Sequence, residues 1–310
     1  ALTTHQLHNR VNIRHPQIEQ ALVFLRVENP ASILMEGGKW YRTAVEYEMD
    51  DERIAFLTNR RLEEWKEIQE YIDHKDCLMT FLRNALDDHD DLPCGKCANC
   101  NPKLSLSTGF SPARAVAAVD FLKQSEFPLQ PKKMVPKDAF VTYGFRGNLS
   151  TQGLDSETGR ILARWGDAGW GQMVADNKHD GYFDDALVNA AVAMIRDRWK
   201  PFPLPQWVAC VSSLNHRDLV PAFARRVAST LGIPFREVVF KIRPNEAQKL
   251  QNNRYYQCRN LDGVFQIRGV IPADPVLLID DIVDSGWTLT VVGALLRQAG
   301  CGSVYPMALA

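Results

Sequence analysis

Ile18, Ala21, Leu22 and Leu25 recur at three- and four-residue intervals, with Pro16 in the first turn and Asn29-Pro30 closing the run, so residues 14–28 are predicted to be helical. The pattern then shortens. Ile33-Leu34-Met35-Glu36, Gly37-Gly38 and Lys39-Trp40-Tyr41-Arg42-Thr43 read as two strands about a Gly-Gly turn, and a helix followed by a hairpin is half of a winged-helix pattern. Helical spacing returns over 51–91, capped at Asp51. Ile54, Leu57, Leu62, Trp65, Ile68 and Ile72 form one apolar stripe, and Leu78, Phe81, Leu82, Ala85 and Leu86 form the next. Asp87-Asp88-His89-Asp90-Asp91 reads as a solvated acidic loop.

Over 102–150 the texture changes to Pro102, Pro112, Pro128, Pro131 and Pro136 with Lys132-Lys133 and Lys137 between them, which predicts one helix near Ala113–Lys123 inside an inter-domain connection. Helices return over 156–199 and end on Pro201, Pro203 and Pro205. Beyond them apolar runs alternate with helices: Val208–Val211, then Val220–Leu231, Phe235–Phe240, Val276–Ile279, Thr288–Ala299 and Val304–Leu309. Such alternation predicts a parallel sheet covered by helices. The expected fold class is α+β multidomain, a helical module followed by an α/β parallel sheet. The expected boundaries are 1–48 for the helix and hairpin, 49–104 for the helical module, 105–150 for the Pro-rich basic connection, and 151–310 for the sheet domain, with its core at about 200–310.

Composition narrows the class. The 310 residues carry 36 Lys+Arg against 37 Asp+Glu, are 45% hydrophobic and 24% charged, and so exclude a disordered or collagen-like chain. A net charge of −1 makes no global case for nucleic acid, so any such contact falls to local patches: Lys39 and Arg42 on the hairpin, Arg60-Arg61, and Lys132-Lys133 with Lys137. Trp40-Tyr41 on the hairpin either pair across the strands or stack on a base. No apolar run reaches the ~18 residues of a membrane-spanning helix, and no signal-like segment opens the chain, so no membrane partner and a cytoplasmic location, near the nucleoid, are expected. Ala1 in place of Met predicts a piece of a longer chain.

Cys77, Cys94, Cys97 and Cys100 form C-x16-C-x2-C-x2-C, whereas Cys210, Cys258 and Cys301 stand alone. Two-residue gaps set thiolates on one tight turn, Gly95 permits the bend, and Cys77 adds a fourth sulfur from the preceding helix. Four thiolates leave no place for water, which points to structural Zn2+; free buried thiols and an iron–sulfur cluster are the alternatives. The run from Arg61 through Cys94-Gly95-Lys96-Cys97-Ala98-Asn99-Cys100 resembles the zinc-binding subdomain of RecQ-family DNA helicases, with the same cysteine spacing. That resemblance implies a part of an ATP-dependent 3′-to-5′ DNA helicase acting on single-stranded or branched DNA in repair and recombination. The chain has no G-x-x-x-x-G-K-[ST] and no DEAH-type box, so it would be the accessory portion downstream of the motor.

Val276-Leu277-Leu278-Ile279-Asp280-Asp281 followed by Ile282-Val283-Asp284-Ser285-Gly286-Trp287-Thr288 reads as a buried strand, two carboxylates at its end, and a turn into a helix. The turn's N–H groups suit a phosphate, and Asp280 and Asp281 suit vicinal sugar hydroxyls, so a ribose 5-phosphate ligand is expected. This run resembles the PRPP-binding motif of type I phosphoribosyltransferases. Val211-Ser212-Ser213-Leu214-Asn215-His216-Arg217 sits where that fold has its pyrophosphate loop, and Ile242-Arg243-Pro244 through Phe265 resembles the mobile-loop region of the ComF-like branch. The resemblance implies PRPP and Mg2+ as ligands, with Ser212, Ser213, Asp280, Asp281, Ser285, Gly286, Trp287 and Thr288 around them. Asp284 matches the position that 6-oxopurine transferases set beside the base, and would be the catalytic residue. Trp287 either packs over the helix or forms a stacking wall. The pyrophosphate loop lacks a Lys, with only Arg217 beyond it, and no base-recognition hood is identified. A RecQ-type zinc module followed by a ComF-like domain resembles the RqlH type of bacterial RecQ-like helicases. The expected function is thus the accessory portion of such a helicase; a phosphoribosyltransferase, or a PRPP or nucleotide sensor, is the alternative.

Overall fold

The structure is a computed structural model that describes residues 1–88 and 91–310, so His89 and Asp90 of the acidic run lie outside the described residues. The chain forms two compact units, Thr43–Pro112 and a larger one that joins Ala1–Arg42 to Ala113–Ala310. No helix among the described residues is long and apolar enough to cross a membrane.

In the larger unit, α1 (Thr4–His8) starts on a capping box in which the Thr3 hydroxyl accepts from Gln6 N and the Gln6 side chain accepts from Thr3 N. Next come α2 (His15–Val27), with Pro16 in its first turn, and the hairpin of β1 (Ile33–Glu36) and β2 (Lys39–Arg42). Glu36 pairs with Lys39 across Gly37-Gly38, as the sequence predicts. Trp40 exchanges backbone hydrogen bonds with Leu2, and its indole Nε1 donates to Thr4 Oγ1 at 3.0 Å.

The smaller unit holds α3 (Asp51–Asp73) and α4 (Leu78–Ala85). The cap of α3 is Asp50 rather than Asp51: its Oδ1 accepts from Arg53 N at 2.8 Å. The apolar stripe of α3 lies open to solvent, Leu62, Trp65 and Ile72 being 60%, 57% and 71% exposed.

The rest of the larger unit runs α5 (Pro112–Gln124), β3 (Phe127–Leu129), β4 (Gly159–Ile161), α6 (Gly171–Asp180), α7 (Asp185–Ala193), β5 (Trp207–Cys210), α8 (Leu219–Leu231), β6 (Val239–Lys241), α9 (Arg254–Arg259), β7 (Phe265–Ile267), β8 (Val276–Asp280), α10 (Trp287–Gln298) and β9 (Val304–Ala308). Five strands make one mixed sheet in the order β3-β4-β9-β8-β5, antiparallel only at β3/β4. β6 and β7 form a separate antiparallel ribbon. Within the predicted strand Phe235–Phe240, only Phe235 bridges to β5, at Val208, before the chain turns off into β6.

Side chains alternate along a strand, so each strand of a sheet covered on both faces is apolar throughout. Leu277 and Ile279 face α7 and α8, in the layer with Phe223 and Leu187. Val276 and Leu278 face α10, in the layer with Val291 and Val292. Each such fully buried side chain contributes roughly 1.5–3 kcal/mol.

The stretch read as an inter-domain connection folds onto this second layer. Ala139, Phe140, Phe145 and Leu149 are buried there, and the Phe140 ring lies 5.5 Å from Phe145 and 6.4 Å from Trp287. Where β4 meets β9, a Cβ at Gly159 would fall 2.1 Å from the Pro306 carbonyl oxygen, so the strands close only around a glycine.

Candidate functional site

The smaller unit brings its four cysteines together. Cys77 caps the N-terminus of α4 and is buried, and the Sγ atoms of Cys77, Cys94, Cys97 and Cys100 all lie within 4.8 Å of one another. Asn99 Nδ2 donates to the carbonyls of His74 and Asp76, both at 2.7 Å, and so pins the Cys97–Cys100 turn to the end of α3. Backbone donors point at the sulfurs: Cys94 N at Cys77 Sγ (3.3 Å), Lys96 N and Cys97 N at Cys94 Sγ (3.4 and 3.3 Å), and Cys100 N at Cys97 Sγ (3.4 Å). Such donors favour thiolate over thiol.

The Thr80 hydroxyl, then the Cys94 N–H, bring the Cys77 thiol down to about 5, and the Cys100 N–H lowers Cys97. Cys100 goes the other way. A lowering bond from Gly95 N–H is its largest single influence, but the Cys97 sulfur, burial and Cys77 together push it up to about 12. Four sulfurs this close cannot all ionise without a cation among them, and the donor set fits a metal ion held by thiolates.

The second cluster lies in the larger unit at the C-terminal ends of β5 and β8, where parallel sheets place ligands. A cleft of about 400 Å3 opens there, bounded by Ser212 and Ser213 on one side and by Asp280, Asp281 and Thr288 on the other. Asp280 is buried, and its Oδ1 accepts from Asp281 N at 2.9 Å. Burial first, and then the neighbouring Asp281 charge, raise its carboxyl well above the ordinary range. Lys178 of α6 reaches Asp281 Oδ2 at 2.8 Å. Lys241, at the end of β6, also lines the cleft; burial lowers its ammonium, against a raising influence from Asp280, and its N–H donates to Ser212 Oγ at 2.7 Å.

A smaller pocket of about 90 Å3 adjoins the cleft through Gln248, Asp280 and Thr288 and is closed by Asp284, Ser285 and Gly286. Gly286 has φ +76°, a left-handed conformation that a β-branched residue resists. A Cβ there would meet only ordinary contacts, Leu129 Cδ1 and Lys132 Cε at 3.8 Å. Backbone conformation, not space, therefore asks for glycine. Lys132, expected as a DNA contact, has its side chain beside this loop, and its N–H donates to Thr290 Oγ1 at 3.2 Å.

The sequence-chosen residues thus separate into groups. Ser212, Ser213, Asp280, Asp281, Asp284, Ser285, Gly286 and Thr288 share one contiguous cavity system. The Trp287 ring is buried in the layer with Phe140, which is the packing reading rather than the stacking wall. Arg217 is exposed and does not line the cleft. Lys39 and Arg42 are exposed at the two ends of β2, Arg60 and Arg61 are exposed on α3, and Lys133 is exposed near Lys132. Sequence reasoning missed Lys178 and Lys241, both of which line the cleft, Lys178 paired with Asp281. Lys241 carried a signal, a lone cation ending an apolar run, whereas Lys178 sits on an ordinary polar helix turn. No protein-family model matches the chain, and no curated protein matches it.

Proposed function

We propose that the cleft at the ends of β5 and β8 binds a phosphorylated ribose of the PRPP type together with Mg2+. The observation that carries this reading is the convergence of two strand-end carboxylates, two serine hydroxyls, Lys241 and a left-handed glycine turn on one cavity system. Asp280 and Asp281 would accept from the sugar hydroxyls and hold Mg2+, Ser285–Thr288 would take the 5-phosphate, and Ser212, Ser213 and Lys241 would take the diphosphate. The pocket closed by Asp284 and Gly286 is far below the roughly 300–1,000 Å3 of sites for whole organic ligands and suits a single phosphate. The residues that carry the reading all serve sugar and phosphate, so it is ligand binding rather than transferase turnover, with Asp284 the candidate residue should turnover occur. Calorimetry tests it. Asp280→Asn with Asp281→Asn should lose PRPP more than inorganic phosphate, and Gly286→Val should lose both. Equal PRPP losses with phosphate binding intact would reject the assignment.

We further propose that the four cysteines hold one structural Zn2+, since closed four-thiolate sites favour that ion, and that the chain is the accessory portion of a RecQ-like 3′-to-5′ DNA helicase. The cysteine cluster, with its C-x16-C-x2-C-x2-C spacing, supports this reading. It requires DNA binding that weakens with salt and no ATP hydrolysis by this chain. Salt-independent binding, or ATPase activity in clean protein, would reject it.

A further inference from the structure

We propose that the cavity between the first helices and residues 134–137 and 252–255 is a second ligand site, for a small organic phosphate. It encloses about 600 Å3, within the range of small-molecule sites. Arg14, Lys137, Arg254 and three histidines, His5, His8 and His15, line it, and among the described residues no carboxylate does. Arg14, Lys137 and Arg254 carry the positive charge, none of them in an ion pair among the described residues, and cations gathered on one concave surface focus a positive potential. An anion is the partner that such a potential recruits.

The histidines add a polar group without a partner. The His8 and His15 rings lie 3.8 Å apart, edge to face, and His8 Nε2 is buried without a hydrogen-bond partner. Burial, then His15 and His5, push the His8 imidazole below its ordinary value, against a raising influence from Glu19. Glu19 itself is taken, 3.3 Å from His15 Nδ1 and outside the cavity lining. The N-terminus of α2 opens on the same space: Arg14 is its N-cap but makes no side-chain cap bond, so the positive end of the helix dipole adds to the side chains.

The rest of the wall mixes asparagines (Asn9, Asn252, Asn253) with carbon surface. Pro16, Met134, Pro136 and Tyr255 add carbon surface beside the cations, which suits a phosphate ester better than a bare ion. The walls are also fixed in place. Asn253 Nδ2 lies within 3.2 Å of the carbonyl oxygens of His8, Val11 and Ile13, while its Oδ1 caps α9 through Tyr256 N. Asn252 N donates to Asn12 Oδ1 at 2.7 Å, and Asn12 Nδ2 returns a bond to the Leu250 carbonyl at 2.9 Å. Neither residues 5–16 nor 252–255 line the ribose cleft, so this site stands whether or not that reading holds.

Histidine ring NMR on the whole chain, with inorganic pyrophosphate and ADP as probes, tests the proposal. Both should shift the His8 and His15 resonances saturably and raise the His8 titration midpoint by about 1 unit, as an opposite charge at close range does. ADP should bind more tightly than pyrophosphate. Arg14→Ala with Arg254→Ala should weaken both at least tenfold at an unchanged melting temperature, since both residues are exposed; Lys137→Ala serves if that pair fails to fold. The Gly286→Val protein, damaged in the other cleft, should respond as the parent does. Unmoved histidine resonances at millimolar probe, unchanged affinity in the arginine variant, or ADP no tighter than pyrophosphate would overturn the proposal. So would a single-stranded oligonucleotide that shifts these resonances where ADP does not.

Discussion

Lys178 Nζ stands 2.8 Å from Asp281 Oδ2, and its ammonium opposes the burial and the Asp281 charge that raise the neighbouring Asp280 carboxyl. Asp281 is 18% exposed and adjoins the buried Asp280, so without the ammonium two carboxylates would lie side by side with, among the described residues, only Lys241 as a further cation lining the cleft. Lys178→Met should therefore cost about 1–3 kcal/mol at pH 8, the usual penalty for a buried group left without its partner, and less at pH 5, where the raised Asp280 carboxyl holds a proton and the repulsion is relieved. Urea denaturation at the two pH values checks this. Equal losses at both would remove the coupling.

Asp280 carries its own pH signature. Its folded carboxyl is raised above the unfolded value, so the folded state holds that proton more tightly. The associated stability is fully present below the ordinary carboxylate value of about 4 and is lost as pH rises through the raised folded one. Asp280→Asn, a neutral isostere, should flatten that decline and make the protein more stable than the parent at pH 8. A variant less stable than the parent at every pH would contradict this.

Trp287 separates packing from ligand contact. Its ring is 2% exposed, against Phe140, so Trp287→Ala should cost about 3–5 kcal/mol, as large-to-small core changes do, with Trp287→Phe much milder. Trp287→Phe should keep PRPP affinity. A stacking wall would show the reverse, lost affinity at unchanged stability, and parallel melting and calorimetry decide between them.

Metal removal should act on one unit. Structural zinc sites supply about 10–16 kcal/mol of folding free energy, so Cys97→Ser, or chelation, should abolish amide protection across 43–112. Protection in β5, β8 and β9 should persist, because their layers are built from the larger unit's own side chains. Less than half an equivalent of zinc in folded protein would reject the assignment of the ion.

Much of this was legible because it is local. The C-x16-C-x2-C-x2-C spacing, the Gly37-Gly38 hairpin and the run Val276–Asp280 each carry their geometry in consecutive residues, and each appears as expected. Residues 135–149 did not show because their packing has no period: Phe140, Phe145 and Leu149 reach the core from an irregular chain with neither helical nor strand spacing. Lys178 and Asp281 lie over a hundred residues apart, so only the folded sheet brings them together. Regular spacing also misled in one place. The stripe on α3 has the period of a buried face and is exposed along Leu62, Trp65 and Ile72, since periodicity reports which side is apolar and not what covers it.

The closure of β4 on β9 carries a consequence for anyone who randomises this chain. At Gly159 the obstacle to a side chain is the backbone oxygen of Pro306, an atom that every amino acid at position 306 would also present. No second-site replacement there can make room, so position 159 has no suppressor at its own point of contact. Gly286 is the opposite case, with open surroundings and a demand only on φ, which asparagine tolerates better than most residues. A library should hold the first glycine fixed and sample the second.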